Sequence, residues 1–117
     1  MGMTNVDSIT APDGLFGPST LQGTVLTAIT TAAADVTLTS DQANNTRLEV
    51  TTGHATHCII VPTGLPGKIY IVVNADAVNA ALIKVAGGTA VTVAATKSAI
   101  VQVNGAGSQI TRISADV

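Results

Sequence analysis

His54, His57 and Cys58 form the one close grouping of side chains in this sequence that could hold a metal ion. A zinc site needs about four ligands in tetrahedral array, commonly as paired motifs from separate parts of a chain. All three residues fall in one short segment, and the sequence has no other His or Cys from which to build a second cluster. On a strand, His57 and Cys58 point to opposite faces. They read as a buried thiol beside strand-edge histidines, and no metal or other cofactor is expected.

Other chemical signals fail on spacing. Gly64-Leu65-Pro66-Gly67-Lys68 has the composition of a phosphate loop, but it lacks the gap between glycines and the following Ser or Thr, and it runs into a strand rather than a helix. It reads as a turn. Asn44-Asn45-Thr46 fits a glycosylation acceptor, which has no consequence without a secretory signal. No G-x-S-x-G nucleophile elbow is present. Glu49 is the sole glutamate and has no sequence-placed carboxylate partner for acid–base work. Asp35, Asp41, Glu49 and Asp76 converge only if folding brings them together, and such a convergence reads as a calcium site or a solvated rim. The chain is therefore not expected to be an enzyme. A small hydrolase or sugar-binding sandwich is the rival from another class, and the absence of Trp counts against it.

Composition points to surfaces instead. The 117 residues suit one domain. Apolar residues make up 46% of them, yet Phe16 and Tyr70 are the only aromatics, and charged residues are 10%. Soluble domains carry roughly 25% charged residues, so an isolated copy would expose aliphatic patches and associate. An oligomer is expected. The net charge is −2, and Arg47, Lys68, Lys84, Lys97 and Arg112 are scattered. Phosphate binding needs clustered cations, so nucleic acid is not an expected partner. Apolar runs fall far short of the ~20 residues that span a bilayer, so no membrane partner is expected either. A single cysteine and no visible signal peptide point to synthesis in a reducing compartment.

The elements that carry these surfaces are short strands. Residues 24–114 repeatedly alternate apolar and small polar side chains, as in Val36-Thr37-Leu38-Thr39 and Ala90-Val91-Thr92-Val93-Ala94. That period of two is a half-buried strand. Segments 24–30, 35–39, 46–52, 57–62, 68–74, 81–85, 89–93, 98–103 and 109–114 read as strands, the last four as a closing meander. Gly87-Gly88 and Asn104-Gly105 supply the positive φ of tight hairpins. Residues 40–45 read as a polar turn or a single helical turn capped by Ser40 or Asp41. The predicted fold class is all-β: an antiparallel, jelly-roll-like β-sandwich of about eight strands. It occupies residues 24–117, behind an extended N-terminal arm at residues 1–23. In that arm Leu15 and Phe16, set between two Gly/Pro turns, read as an anchor for a neighbour's groove.

Two central strands are apolar on both faces: residues 57–61, and residues 68–73 with Ile69, Ile71 and Val73 on one side and Tyr70 and Val72 on the other. An antiparallel sheet open to water should alternate cleanly. The second cover comes from a partner chain or, alternatively, from the chain's own arm. Ile60, Tyr70 and Val72 are the predicted subunit-packing residues.

Residues 35–50, then Val61-Pro62, Pro66 to Asn74, Ile83 to Ala94, Lys97 to Val101 and Asn104-Gly105 resemble modules of tailed-bacteriophage virion proteins. The resemblance is a pattern of strands and turns over roughly residues 35–114, without a catalytic signature. Such modules occur in capsid decoration (cement) proteins and in head- or tail-fibre proteins. The resemblance implies a β-sandwich structural protein that forms a homotrimer, binds the major capsid protein on the capsid exterior and stabilises the head. It would be synthesised in a bacterial host cytoplasm. Tail-fibre versions sit in long chains with shaft repeats, so a free-standing domain with an arm fits decoration better. Leu15 and Phe16 would then anchor to the capsid or to a neighbouring subunit, and three linked patches would raise avidity. A head- or tail-fibre or receptor-binding module is the alternative.

Overall fold

Each alternating segment becomes a strand because one row of its side chains can leave water while the other stays in it. A computed structural model of the chain describes residues 24–117; the segment 1–23, with Leu15 and Phe16, lies outside the described residues. The described residues form strands β1 (Val25–Ile29), β2 (Val36–Thr37), β3 (Arg47–Val50), β4 (Cys58–Val61), β5 (Ile69–Asn74), β6 (Ala81–Val85), β7 (Val91–Val93), β8 (Ser98–Val103) and β9 (Ile110–Arg112), with one helical turn, α1 (Ser40–Ala43), between β2 and β3. None of their helices is long and apolar enough to cross a membrane.

The all-β class is as the alternation predicts; the sheet pairing is not. One sheet has the order β9-β8-β5-β3-β1 and the other the order β2-β4-β6-β7. Both are mixed. β1 pairs parallel with β3 and β3 with β5; β2 pairs parallel with β4 and β4 with β6. Only β5/β8, β8/β9 and β6/β7 are antiparallel. The chain crosses from one sheet to the other after each strand from β1 to β5, and once more after β7. From β3 to β6 each strand therefore returns to its own sheet pointing the same way as before, as crossover connections require. One turn of this winding takes about two dozen residues: Val25 lies beside Arg47, and Arg47 beside Ile71. The expected closing meander is likewise two hairpins in different sheets, because β7 and β8 do not pair.

The two inward faces share one aliphatic core that includes Leu48, Val50, Ile59, Val61, Val72, Ile83, Val85, Val93, Val101 and Val103. Burying one such side chain contributes roughly 1.5–3 kcal/mol. Among the described residues Tyr70 is the only ring in this core, fully buried, and its hydroxyl donates to the Ala43 carbonyl at 2.6 Å. That bond ties β5 to the end of α1, whose cap is Thr39 rather than Ser40 or Asp41. Thr39 is extended, its Oγ1 accepts from the Gln42 N–H at 3.2 Å, and Gln42 Oε1 accepts from the Thr39 N–H at 2.9 Å. This reciprocal pair satisfies two donors that a helix start otherwise leaves free.

β1 contains a bulge between Leu26 and Ile29, with Ala28 at φ 62°. The extra residue turns Ile29 inward beside Val50; strict alternation would have faced it outward with Val25 and Thr27. Gly53, at φ 69°, closes the corner after β3, where a Cβ would sit 2.9 Å from Ala32 Cβ. In the β8–β9 hairpin, positive φ falls on Gly107 rather than Gly105.

Buried polar groups stitch successive turns of chain together at one corner. Thr31 Oγ1 lies 2.6 Å from Thr52 Oγ1 and 3.1 Å from the Thr52 carbonyl. Asp76, one turn further on, accepts the N–H groups of Gly53 at 2.7 Å and of Val78 and Asn79, each at 2.8 Å. Beside it, Asn74 Nδ2 donates to the carbonyls of Asn79, Val93 and Ala94 at 2.9, 3.2 and 3.2 Å, and its Oδ1 accepts from the Asp76 N–H at 3.0 Å. These bonds lock β5 to β7 across the gap between the sheets.

Candidate interaction surface

The pleat that sends Tyr70, Val72 and Asn74 into the core sends Ile69, Ile71 and Val73 to the outside. This corrects the assignment of Tyr70 and Val72 to subunit packing: both are wholly enclosed by their own chain. Tyr70 faces inward because its hydroxyl has a buried acceptor at Ala43 there. The third residue assigned to packing, Ile60, is half-buried on the outer side of the four-stranded sheet, next to Lys84 across the parallel β4/β6 pair. Leu15 and Phe16 lie outside the described residues.

Among the described residues, the uncovered aliphatic surface is the outer face of the five-stranded sheet. Val25, Arg47, Ile71 and Ile100 stand side by side in one row across β1, β3, β5 and β8. Ile113 extends the row: its N–H donates to the Ile100 carbonyl at 2.8 Å, just beyond β9. Ile69 stands two residues along β5 on one side of this row and Val73 two residues along on the other. Exposure is 44% for Val25, 47% for Ile69, 38% for Ile71, 38% for Ile100 and 57% for Ile113. Isolated exposed aliphatics are ordinary, but a contiguous group rimmed by polar residues marks a contact surface.

That rim is present. Glu49, Val73 and Ser98 form the neighbouring row on one side, and Ile69, Gln102 and Thr111 the row on the other. Arg47 and Glu49 bond to each other at 2.8 Å across the pleat of β3. Next to Ile69 lies a shallow depression of about 310 Å³ lined by Thr46, Gly67, Lys68 and Ile69. The Lys68 ammonium is committed there, donating to the Asn44 carbonyl at 2.9 Å with the Tyr70 ring centroid at 5.4 Å. Burial lowers the Lys68 pKa below its ordinary value and raises that of Tyr70.

The residues that suggested metal chemistry are placed differently. His54 and His57 stack ring on ring with centroids 3.6 Å apart and planes 8° from parallel. His57 Nδ1 lies 2.7 Å from the Thr31 carbonyl, and His54 Nδ1 accepts from the Thr56 N–H at 3.2 Å. Cys58 is buried at the start of β4, where its N–H donates to Asp35 at 2.8 Å. Among the described residues, no three His, Cys, Asp or Glu side chains gather closely enough to hold an ion. Asp35, Glu49 and Asp76 are each engaged at separate places. Asp76 is held at a pKa of about 2 by the N–H groups of Asn79, Val78 and Gly53, in that order of weight.

Reading the sequence for function missed Ile69, Ile71, Ile100, Ile113 and the Arg47–Glu49 rim. One signal was available: Asn74 shares the parity of Tyr70 and Val72, and an Asn with several local carbonyl acceptors suits an interior turn position. The comparisons with known proteins found no family model, no curated protein and no solved structure that matches this chain.

Proposed function

We propose that this chain is a structural protein of a tailed-phage virion, a capsid decoration protein that associates with further copies of itself. It would bind the outer capsid surface and stabilise the head by bridging major capsid proteins. The observation that carries this reading is the group of exposed aliphatics Ile71, Ile100 and Ile113, with Val25 beyond Arg47 in the same row, on a sheet face of a molecule with only 10% charged residues. A surface of that kind gains by contact with another surface and offers little to a small polar substrate. The homotrimer is what the resemblance to cement proteins implies; the face supports association without setting the number of copies. Leu15 and Phe16 remain the proposed anchors to the capsid or to a neighbouring subunit.

The test is capsid binding by the full chain carrying Leu15→Asp and Phe16→Asp, alongside Ile71→Lys. The first variant should keep its self-association and lose attachment to capsids. The second should lose self-association. Undiminished capsid binding by the Leu15/Phe16 variant refutes the anchoring role.

A head- or tail-fibre module is favoured by a different observation. The parallel turns of chain stack one on the next, a geometry that extends end to end as fibre shafts require. Copy number separates the two: hundreds of copies per virion fit decoration, a few to tens fit a fibre.

A further inference from the structure

We infer that the outer face of the five-stranded sheet pairs with the same face of a second copy about a two-fold axis, in a register set by Arg47 and Glu49. This rests on reading that face as a contact surface and adds its occupant and its symmetry.

The charges identify the occupant. Arg47 and Glu49 are two residues apart on β3, so both project from the outer face, in adjacent cross-strand rows. Their side chains pair within the chain at 2.8 Å and are 46% and 34% exposed. Together they make a small dipole directed along the strand beside the aliphatic group. Any two-fold contact between identical faces is self-complementary, so each residue meets its counterpart under one rotation. Consider an axis that lies in the interface, parallel to the rows and midway between them. It sets Arg47 of one copy opposite the partner's Glu49, and Glu49 opposite the partner's Arg47. The two intrachain pairs then close into a ring of four alternating charges.

The same rotation handles the apolar groups. Ile71 stands in the row of Arg47 and Val73 in the row of Glu49. The axis that matches the charges therefore sets Ile71 against the partner's Val73 and Ile100 against the partner's Ser98. Sheets packed face to face sit about 10 Å apart, which aliphatic side chains of this size fill. An axis placed on the Arg47 row itself would set Arg47 against the partner's Arg47, so a one-row slip replaces attraction with repulsion. Charges matched across an interface contribute register and specificity more than raw affinity. Ile71 packed against the partner's Val73, and Val73 against the partner's Ile71, supply the apolar contact beside the charges, and the charge ring selects the arrangement.

The experiment uses the full chain in sedimentation equilibrium, with Arg47→Glu, Glu49→Arg, the double exchange R47E/E49R and Ile71→Lys. Circular dichroism confirms that each variant is folded, as expected for half-exposed positions. The wild-type chain should show a dimer step. Each single charge reversal, which lines like charges across the axis, should weaken that step by tenfold or more. The double exchange should restore it. An equimolar mixture of the two single variants should form mixed pairs that neither forms alone, and Ile71→Lys should abolish the step in every background. Dimerisation indifferent to the single reversals, or no recovery in the double exchange, overturns the inference. A wild-type trimer unaffected by all the charge variants also overturns it while leaving the decoration reading intact. A dimer of the predicted behaviour that binds no capsid supports the pairing and removes the decoration reading.

Discussion

Replacing Asn74 with alanine should cost this fold more than its position at the end of a strand suggests. The side chain is 2% exposed and holds four backbone groups: the carbonyls of Asn79, Val93 and Ala94 and the N–H of Asp76. Two amide hydrogens cannot serve three carbonyls fully, so alanine strands about two carbonyls and one N–H. Each buried group left without a partner costs about 1–3 kcal/mol, with carbonyls at the low end. The expected loss is about 3–5 kcal/mol, a large share of the roughly 5–15 kcal/mol that holds a domain together. Guanidinium unfolding followed by circular dichroism measures it, and Tyr70, the only tyrosine, gives a near-ultraviolet signal from the core.

Asn74→Asp sharpens the test. A carboxylate facing the same carbonyls is disfavoured in its charged form, so its folded pKa rises above the unfolded value of about 3.9. A raised folded pKa gives stability that is present at low pH and lost as pH rises through it. The aspartate variant should therefore lie well below wild type at pH 7 and close part of that gap by pH 4. A loss below about 1 kcal/mol for alanine, or a gap for aspartate that does not change with pH, refutes the reasoning.

Asp76 gives the opposite sign. Its folded pKa of about 2 lies below the ordinary 3.8, so its contribution is present above pH 4 and falls away as pH drops toward 2; Asp76→Asn should flatten that stretch of a stability–pH curve. Ala28 and Thr96 hold left-handed φ values of 62° and 65°. Non-glycine residues there cost roughly 1–2 kcal/mol, so Ala28→Gly and Thr96→Gly should each leave stability unchanged or raise it by up to about 1 kcal/mol in thermal melts. Tyr70→Phe removes the donor to the Ala43 carbonyl and should lower the unfolding free energy by about 1–3 kcal/mol, with little change in the capping box at Thr39.

The strands were legible because alternation survives at residues 81–85 and 98–103 whatever they pair with. Pairing was not. Antiparallel neighbours announce themselves by a tight turn between them, as Gly87 does for β6 and β7. Parallel neighbours are joined through the other sheet, so β1, β3 and β5 leave no local mark of their adjacency. The spacing of Thr31, Thr52 and Asp76 was the available trace, but a Thr, a Thr and an Asp carry no mark of mutual contact until the chain has wound round. Composition exposed the surplus of aliphatic surface. It could not say which face of β5 was left over, because both faces are apolar. Two polar atoms decided that, the Tyr70 hydroxyl and the Asn74 amide, whose acceptors exist only once the chain has wound round.

The winding has its own outcome for how this molecule could grow. Because each lap of backbone rests only on the laps beside it, a lap copied in tandem would find the same shelf to rest on as its template. The carboxy-terminal hairpins, whose partners are near in sequence, would still close the stack at the far end. A longer rod of unchanged cross-section is therefore one duplication away, with no new architecture to invent.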